Sequence, residues 1–485
     1  MLLNFVALLS LTHLVTAETP ANLTDLNDIF RPVLSLESHI YLTNESSYDD
    51  VVPRWSTYKK PSYVATIKPA SEEDVQSIIK AASSHEIPYF VTGGGHCVKV
   101  GFANVQNAVN IDMSNMKSTY LDLANNLVTV GSGVENGQVY DILSSVGKET
   151  PLTDDRCVNT VGPTLGGGLG VLYGLRGLLL DSLVSVRLVT AAGDAITVSS
   201  TEHPDLFWAI RGAGANFGVI ISATYRIYDQ TNHGTRISAK FEYAPESNRS
   251  VIELFHTFDN ECPPELYTML TLSYNHTSNQ PIIFSEVSYF GTPSAAQPWL
   301  DRFLDLDPTE ASIKTIPWHQ RDEEEEPLCV RGDHYSVYDI GLRQTNPDVI
   351  ETYLNNLTEF SASNFWFDSK MVMERHATDA VMALPESKRG VYPWRDTKYV
   401  TWFATKTPTA EYDGAVDEFM RPIRQKFHDT MGFDQMHAYV NQALGDEGPA
   451  VWYGPDNLPR LVALKQEWDP HGQFGAGMPV PLSLD

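Results

Sequence analysis

Apolar positions fall into two rhythms along the first half of the chain. Tyr63-Val64-Ala65-Thr66-Ile67 is a short, largely apolar run closed by Pro69, which predicts a strand. Ser71 with Asp74 forms a capping box, and Val75, Ile78, Ile79 and Ala82 then repeat at helical spacing up to a stop at Pro88. Tyr89-Phe90-Val91 predicts a second strand that runs straight into Gly93-Gly94-Gly95-His96, so this glycine loop closes a strand of a β-α-β unit. Ala108–Ile111 and Leu127–Val130 predict further strands. Ser185–Thr190 and Ala195–Val198 flank Ala191-Ala192-Gly193-Asp194 as a hairpin, Pro204–Ile210 as a short helix, and Val219–Tyr225 as a strand.

After about residue 230 the texture changes. Glycine thins out, aromatics scatter, and Asp322-Glu323-Glu324-Glu325-Glu326 reads as a solvated loop. A length of 485 residues exceeds one ordinary core. The expected organisation is a signal peptide over 1–17, a polar arm over 18–57, a first domain over 58–230, a second over 231–438, and a terminal segment over 439–485. The leader is the apolar run ending in Val15-Thr16-Ala17, with cleavage after Ala17.

Composition narrows the function classes. Apolar residues at 42% and charged residues at 20% describe a globular chain. A formal charge of -27 repels phosphate backbones and anionic lipid, which argues against nucleic acid and membrane partners. No stretch after the leader reaches the length of a membrane span. Sequons at Asn22, Asn44, Asn248, Asn275 and Asn356 fit an exported, N-glycosylated protein. Of the four cysteines, Cys262 and Cys329 either pair in an oxidising compartment or stay free, and Cys97 and Cys157 lie near glycine loops.

Three glycine-rich loops fall within roughly 130 residues: Gly93-Gly94-Gly95-His96, the run from Gly162 through Gly166-Gly167-Gly168, and Gly212 to Gly218. Consecutive backbone N–H groups in such loops make anion nests suited to a pyrophosphate. No P-loop pattern exists, and Gly212-x-Gly214-x-x-x-Gly218 precedes a strand, not a helix, which fits a Rossmann fingerprint poorly. There is no Gly-x-Ser-x-Gly elbow and no His-Glu-x-x-His.

Tyr89-Phe90-Val91-Thr92-Gly93-Gly94-Gly95-His96 resembles the flavin-attachment loop of the berberine-bridge-enzyme-like oxidoreductases, of the vanillyl-alcohol-oxidase type. Leu165–Gly170, Pro204–Gly218, Tyr439-Val440-Asn441, Trp452-Tyr453-Gly454 and Lys465-x-x-Trp468-Asp469-Pro470 follow in the family's order, most like its fungal secreted branch. The resemblance implies an α+β, two-domain fold, with a substrate domain on an antiparallel sheet inserted into an FAD domain. It implies FAD held by Gly93, Gly94, Gly95, Gly162, Gly166, Gly167, Gly168, Gly218 and Val219, and bonded through its 8α carbon to His96. Many relatives add a second bond from a cysteine four residues before the Val-Gly glycine. That position is Val158 here, with Cys157 beside it, so Cys157 is either a second tether or a buried small residue.

The resemblance further implies hydride transfer from a small-molecule substrate to the flavin, with molecular oxygen as final acceptor. The family's usual proton acceptor is a tyrosine three residues after the tyrosine of Tyr-x-Asn. This chain has Gln442 there, and a carboxamide is no base near neutral pH. Three readings stay open: Tyr439, Tyr453 or Tyr399 substitutes, aided by a cation such as Arg395 or Lys465; no strong base is needed; or the flavin is structural in a cyclase. Asn441 is expected to bind flavin or position substrate. A secreted binding protein without turnover is the alternative of another class. The sequence carries no signal for oligomeric state or substrate identity.

Overall fold

A computed structural model describes residues 23–44, 48–51, 53–320 and 329–484. The expected leader, the Asn22 sequon and the acidic run at 322–326 lie outside the described residues.

The first sheet holds β1 (His39–Leu42), β2 (Tyr63–Lys68), β3 (Tyr89–Thr92) and β4 (Ala108–Asp112) in the order β1-β2-β4-β3. β2 and β3 both run parallel to β4, so the helix Glu72–Ser84 is the crossover of a β-α-β unit with β4 inserted between its strands. The Ser71 side chain caps this helix by accepting from Asp74 N at 3.1 Å. Val75, Ile78, Ile79 and Ala82 are all fully buried. Burying each Val or Ile contributes about 1.5–3 kcal/mol, which fixes the helix and with it the direction in which β3 leaves the sheet.

The arm read as polar lead-in is a real part of this sheet. Leu26 and Phe30 of the helix Leu23–Phe30 are fully buried, and β1 pairs antiparallel with β2. Its apolar positions are too few and too widely spaced for a periodic signal, and tertiary contact supplies the rest.

A second sheet combines β5 (Thr119–Asp122), β6 (Leu127–Gly131), β8 (Leu183–Val189), β9 (Ala195–Ser199) and β10 (Val219–Arg226), in the order β5-β6-β10-β8-β9 and entirely antiparallel. β7 (Lys148–Glu149) and β11 (Tyr228–Asp229) form a small separate ladder. The hairpin expected across residues 191–194 is the β8–β9 pair.

The third sheet has seven antiparallel strands: β12 (Thr235–Tyr243), β13 (Leu266–Asn275), β14 (Gln280–Tyr289), β15 (Glu310–Pro317), β16 (His334–Leu342), β17 (Asp368–His376) and β18 (Tyr399–Thr407), ordered β15-β12-β14-β13-β17-β18-β16. One face packs on the helices Asn248–Thr257, Pro293–Leu304, Pro347–Ser363 and Asp413–Met431 through Phe241, Leu270, Leu272, Met371, Met373 and Phe403. Side chains alternate along a strand, so the residues between these point the other way. That second face is the wall of the site. Among the described residues no helix is long and apolar enough to cross a membrane.

Candidate active site

One cavity of about 680 Å³ runs between the glycine loops and the free face of the seven-stranded sheet. Its first wall is made by Gly93–His96, Ser132, Asn159, Gly162, Gly166, Gly212–Ala215 and Gly218. Gly95 sits at φ +73°, in the left-handed region, and an added Cβ would lie 3.3 Å from Pro53 O, so the turn that presents His96 needs glycine. A Cβ on Gly162 would meet nothing within 4 Å, so the chain there borders open space, while its N–H donates to Asn159 Oδ1 at 3.2 Å. Ser132 Oγ and Gln442 Oε1, two buried polar atoms on this cavity, have no hydrogen-bond partner among the described residues. Glycine loops, an open cradle and orphaned polar atoms fit an FAD dinucleotide.

The C-terminal strip builds the second wall. Tyr439, Asn441 and Gln442 line the cavity and are tightly pinned. Tyr439 N donates to the buried Asp339 carboxylate, and the buried Lys99 ammonium donates to the carbonyls of Asn441 and Ala443. The Tyr439 hydroxyl oxygen accepts from Gly168 N (2.9 Å), Leu169 N (3.1 Å) and Asn441 Nδ2 (2.7 Å). Burial outweighs these donors and pushes its pKa up to about 12. Tyr439 is therefore a clamp between the glycine loop and the terminal strip, not a base. Asn441 Nδ2 also reaches Pro163 O at 2.8 Å.

The other sequence candidates for a base fall away on geometry. Tyr453 lines the cavity, but its hydroxyl donates to Met478 O at 2.7 Å and accepts from Asn216 Nδ2 at 3.0 Å, and burial raises its pKa. Tyr399 points to the helix side of the sheet, bonded to Asp259 Oδ1 at 2.7 Å. Neither expected cation serves a tyrosine base. Arg395 forms a two-pronged pair with Asp181 at 2.8 and 2.7 Å, and Lys465 pairs with Asp469.

The cofactor residues need correction too. Gly167, Gly168 and Val219 do not line the cavity: Gly168 (φ +82°) turns its N–H to Tyr439, Gly167 packs against the Tyr439 ring, and Val219 is buried at the start of β10. Cys157 is bonded to Cys329, with 5.8 Å between their Cα atoms. This removes the thiol that a second flavin bond would need, and it overturns the Cys262–Cys329 pairing; Cys262 is free and partly buried. Cys97 is free and exposed on the cavity. The 172-residue separation of the disulfide corresponds to about 5 kcal/mol of loop-closure entropy removed from the unfolded chain.

His96 faces the cavity beside this disulfide. Burial, then the Arg331 guanidinium, bring its pKa down to about 4, with Arg54 acting in the same sense and a hydrogen bond to the Cys157 backbone opposing. The imidazole is thus neutral at physiological pH and retains a lone pair for bonding.

The sheet wall carries a carboxylate that periodicity alone did not expose. Register aligns Lys240, Glu286, Met269, Glu374 and Val400 in one row across β12, β14, β13, β17 and β18, and all five line the cavity. Glu286 lies 3.8 Å from Lys240 Nζ. Glu374 accepts from Trp402 Nε1 at 2.8 Å and from Tyr267 OH at 3.3 Å, and His376 Nε2 lies 3.4 Å from its Oε2. Burial alone would raise its pKa; His376, with Trp402 and Tyr267, outweighs burial and holds it below the ordinary carboxylate value. The signal in the sequence was Lys370, Val372 and Glu374 at period two in β17, an alternation with charge on the inward face.

Residues 64–199 match the FAD binding domain family, and residues 438–481 match the berberine and berberine-like family. The FAD-linked oxidoreductase fmqD of Aspergillus fumigatus is 56% identical over 474 residues, covering 97% of this chain and 95% of that one. The FAD-linked oxidoreductase tazL of Aspergillus terreus is 42% identical, over 94% of each. Among solved structures, Physcomitrella patens BBE-like 1 superposes with a TM-score of 0.83 at 19% identity, over 96% of this chain and 100% of that one. A glucooligosaccharide oxidase from Acremonium strictum, with a 6-S-cysteinyl, 8α-N1-histidyl FAD, gives 0.81 at 18% identity, over 95% and 100%. With its vanillyl-alcohol-oxidase-type α+β fold and these relatives along nearly its whole length, the chain belongs to the berberine-bridge-like family of FAD-linked oxidoreductases.

Proposed function

We propose that this enzyme oxidises a small organic molecule, an alcohol, sugar or secondary-metabolite intermediate, with FAD tethered to His96, oxygen as final acceptor, and Glu374 as the group that takes the substrate proton. The observation that carries this reading is that one cavity has His96 on one wall and Glu374 on the other. When bound, the flavin supplies the acceptor for two electrons and one hydrogen. The chain's residues do the rest. Glu374, ionised and fixed by Trp402 and Tyr267, accepts the proton of the substrate O–H or N–H as the C–H bond breaks, so the heteroatom's electron pair closes the new double bond. Gln442 no longer argues for a binding protein without turnover, because the proton has another destination.

Export and N-glycosylation belong to the same proposal, supported by the apolar leader and by sequons of which Asn44 and Asn356 are exposed.

The test is chemical. Purified protein should be yellow, keep its colour through acid precipitation, and yield hydrogen peroxide with a member of an alcohol, sugar and amine panel. His96→Ala should release essentially all flavin into the acid supernatant; colour retained in the pellet would place the tether elsewhere. The acid limb of kcat/KM gives a second expected result. Glu374 is depressed in the folded protein, so its base form persists as pH falls. Activity should hold down to about the ordinary carboxylate value of 4.5 and be lost only below it. A limb centred near pH 6 to 7 would exclude Glu374 as the group titrating there.

A further inference from the structure

Arg331 takes no part in the chemistry above, yet it touches the residue that this chemistry depends on. Its Nη2 donates to His96 Nε2 at 3.2 Å, and its Nη1 donates to Gly94 O at 2.8 Å and Pro53 O at 2.9 Å. A guanidinium has donors only, so Nε2 presents its lone pair to Arg331 and has no room for a carbon substituent. Nδ1 therefore carries the imidazole proton, which the Cys157 backbone accepts, and it is the nitrogen that can exchange this proton for carbon.

Two restraints hold Arg331 in place. Two residues before it, Cys329 is bonded to Cys157, whose own backbone hydrogen-bonds His96. Immediately after it, Gly332 N donates to the carbonyls of Arg54 (3.0 Å) and Trp55 (3.1 Å), and Asp333 bridges to Ser56. Guanidinium, imidazole and disulfide thus form one connected unit on the cavity rim.

We propose that Arg331 is a positioning residue for cofactor attachment: by occupying His96 Nε2 it directs the flavin 8α carbon to Nδ1, and the Cys157–Cys329 disulfide keeps it there. The proposal rests on the reading of His96 as the tether. The new bond joins Nδ1 to the methyl carbon. The imidazole N–H proton and one methyl hydrogen leave as two protons and two electrons, and dioxygen takes these up as hydrogen peroxide. Attachment is thereby coupled to oxidation of the two thiols to the disulfide: a chain with both cysteines as thiols binds FAD but tethers it slowly.

Three full-length variants test this: Arg331→Gln, Arg331→Lys, and Cys157→Ser with Cys329→Ser together, which leaves no freed thiol beside the flavin. The readouts are the flavin-modified fraction of the tryptic peptide bearing His96 at fixed times, the FAD released by acid, and NMR assignment of the bonded nitrogen. Arg331→Gln and the double serine variant should tether roughly tenfold more slowly or worse, the loss expected from one charge-assisted hydrogen bond, while holding acid-releasable FAD. Arg331→Lys should recover part of the rate. Attachment of Arg331→Gln at the wild-type rate, or a bond to Nε2, overturns the proposal. Should Arg331→Gln fail to fold, wild-type attachment in the double serine variant overturns the role of the disulfide. An unmodified His96 peptide in the wild type overturns the tether reading and removes this one with it.

Discussion

Glu374→Gln is expected to lower kcat by about 10²–10⁴-fold, the usual contribution of a positioned general base. The substitution is close to isosteric, and a carboxamide oxygen still accepts from Trp402 Nε1, so the sheet face keeps its shape. What it loses is the negative charge and any capacity to take a proton. The defect should therefore appear in kcat and in the rate of flavin bleaching by substrate under anaerobic conditions, with KM changed little. The acid limb of the pH profile should vanish along with the activity. A kcat within about twofold of wild type would send the proton elsewhere, most simply to solvent, and would detach Glu374 from the mechanism.

Lys465→Met should destabilise the FAD-binding region by about 3–5 kcal/mol, because it leaves a buried carboxylate without its cation. Lys465 and Asp469 are 1% and 0% exposed, and the ammonium donates to Asp469 Oδ2 (2.6 Å), Asn216 O (2.9 Å) and Phe474 O (3.0 Å). Asp469 in turn accepts from the backbone N–H groups of Gln473 and Phe474. Removing the ammonium orphans the Asn216 and Phe474 carbonyls and leaves the Asp469 carboxylate with backbone N–H donors but no cation. Denaturant titration followed by flavin fluorescence should show an earlier midpoint, with the flavin exposed to solvent before the helical face of the seven-stranded sheet unfolds. Adding Asp469→Asn should recover part of the loss, since it takes away the uncompensated charge. A midpoint unchanged in the single variant would mean that water reaches the pair.

Much of the first two sheets was legible because their strands are short apolar runs bounded by glycine and proline, and the helix Glu72–Ser84 because four apolar positions share one face over a serine cap. The glycine loops and His96 were legible for the same local reason. The sheet wall of the cavity was not. Glu374 is one acidic residue among many until β17 is paired with β13 and β18 in register, and only then does its side chain point inward. The tyrosines misled in the opposite direction. Nothing in Tyr439 or Tyr453 as residues distinguishes a base from a clamp; apart from Asn441, the donors that fill their oxygens come from Gly168, Leu169 and Asn216, hundreds of residues away. Cys157 was misassigned because its partner sits 172 positions on, across the domain insertion, where spacing carries no information.

Gln473–Gly475, Ala476 and Met478 line the cavity that begins with the loop after β3. Residues through Met478 must therefore leave the ribosome before the berth for the dinucleotide has all its sides. Loading is a property of the folded whole, not of a nascent FAD domain, and a chain cut just before Gln473 would keep the strands and helices of both domains while leaving the flavin site open at one end.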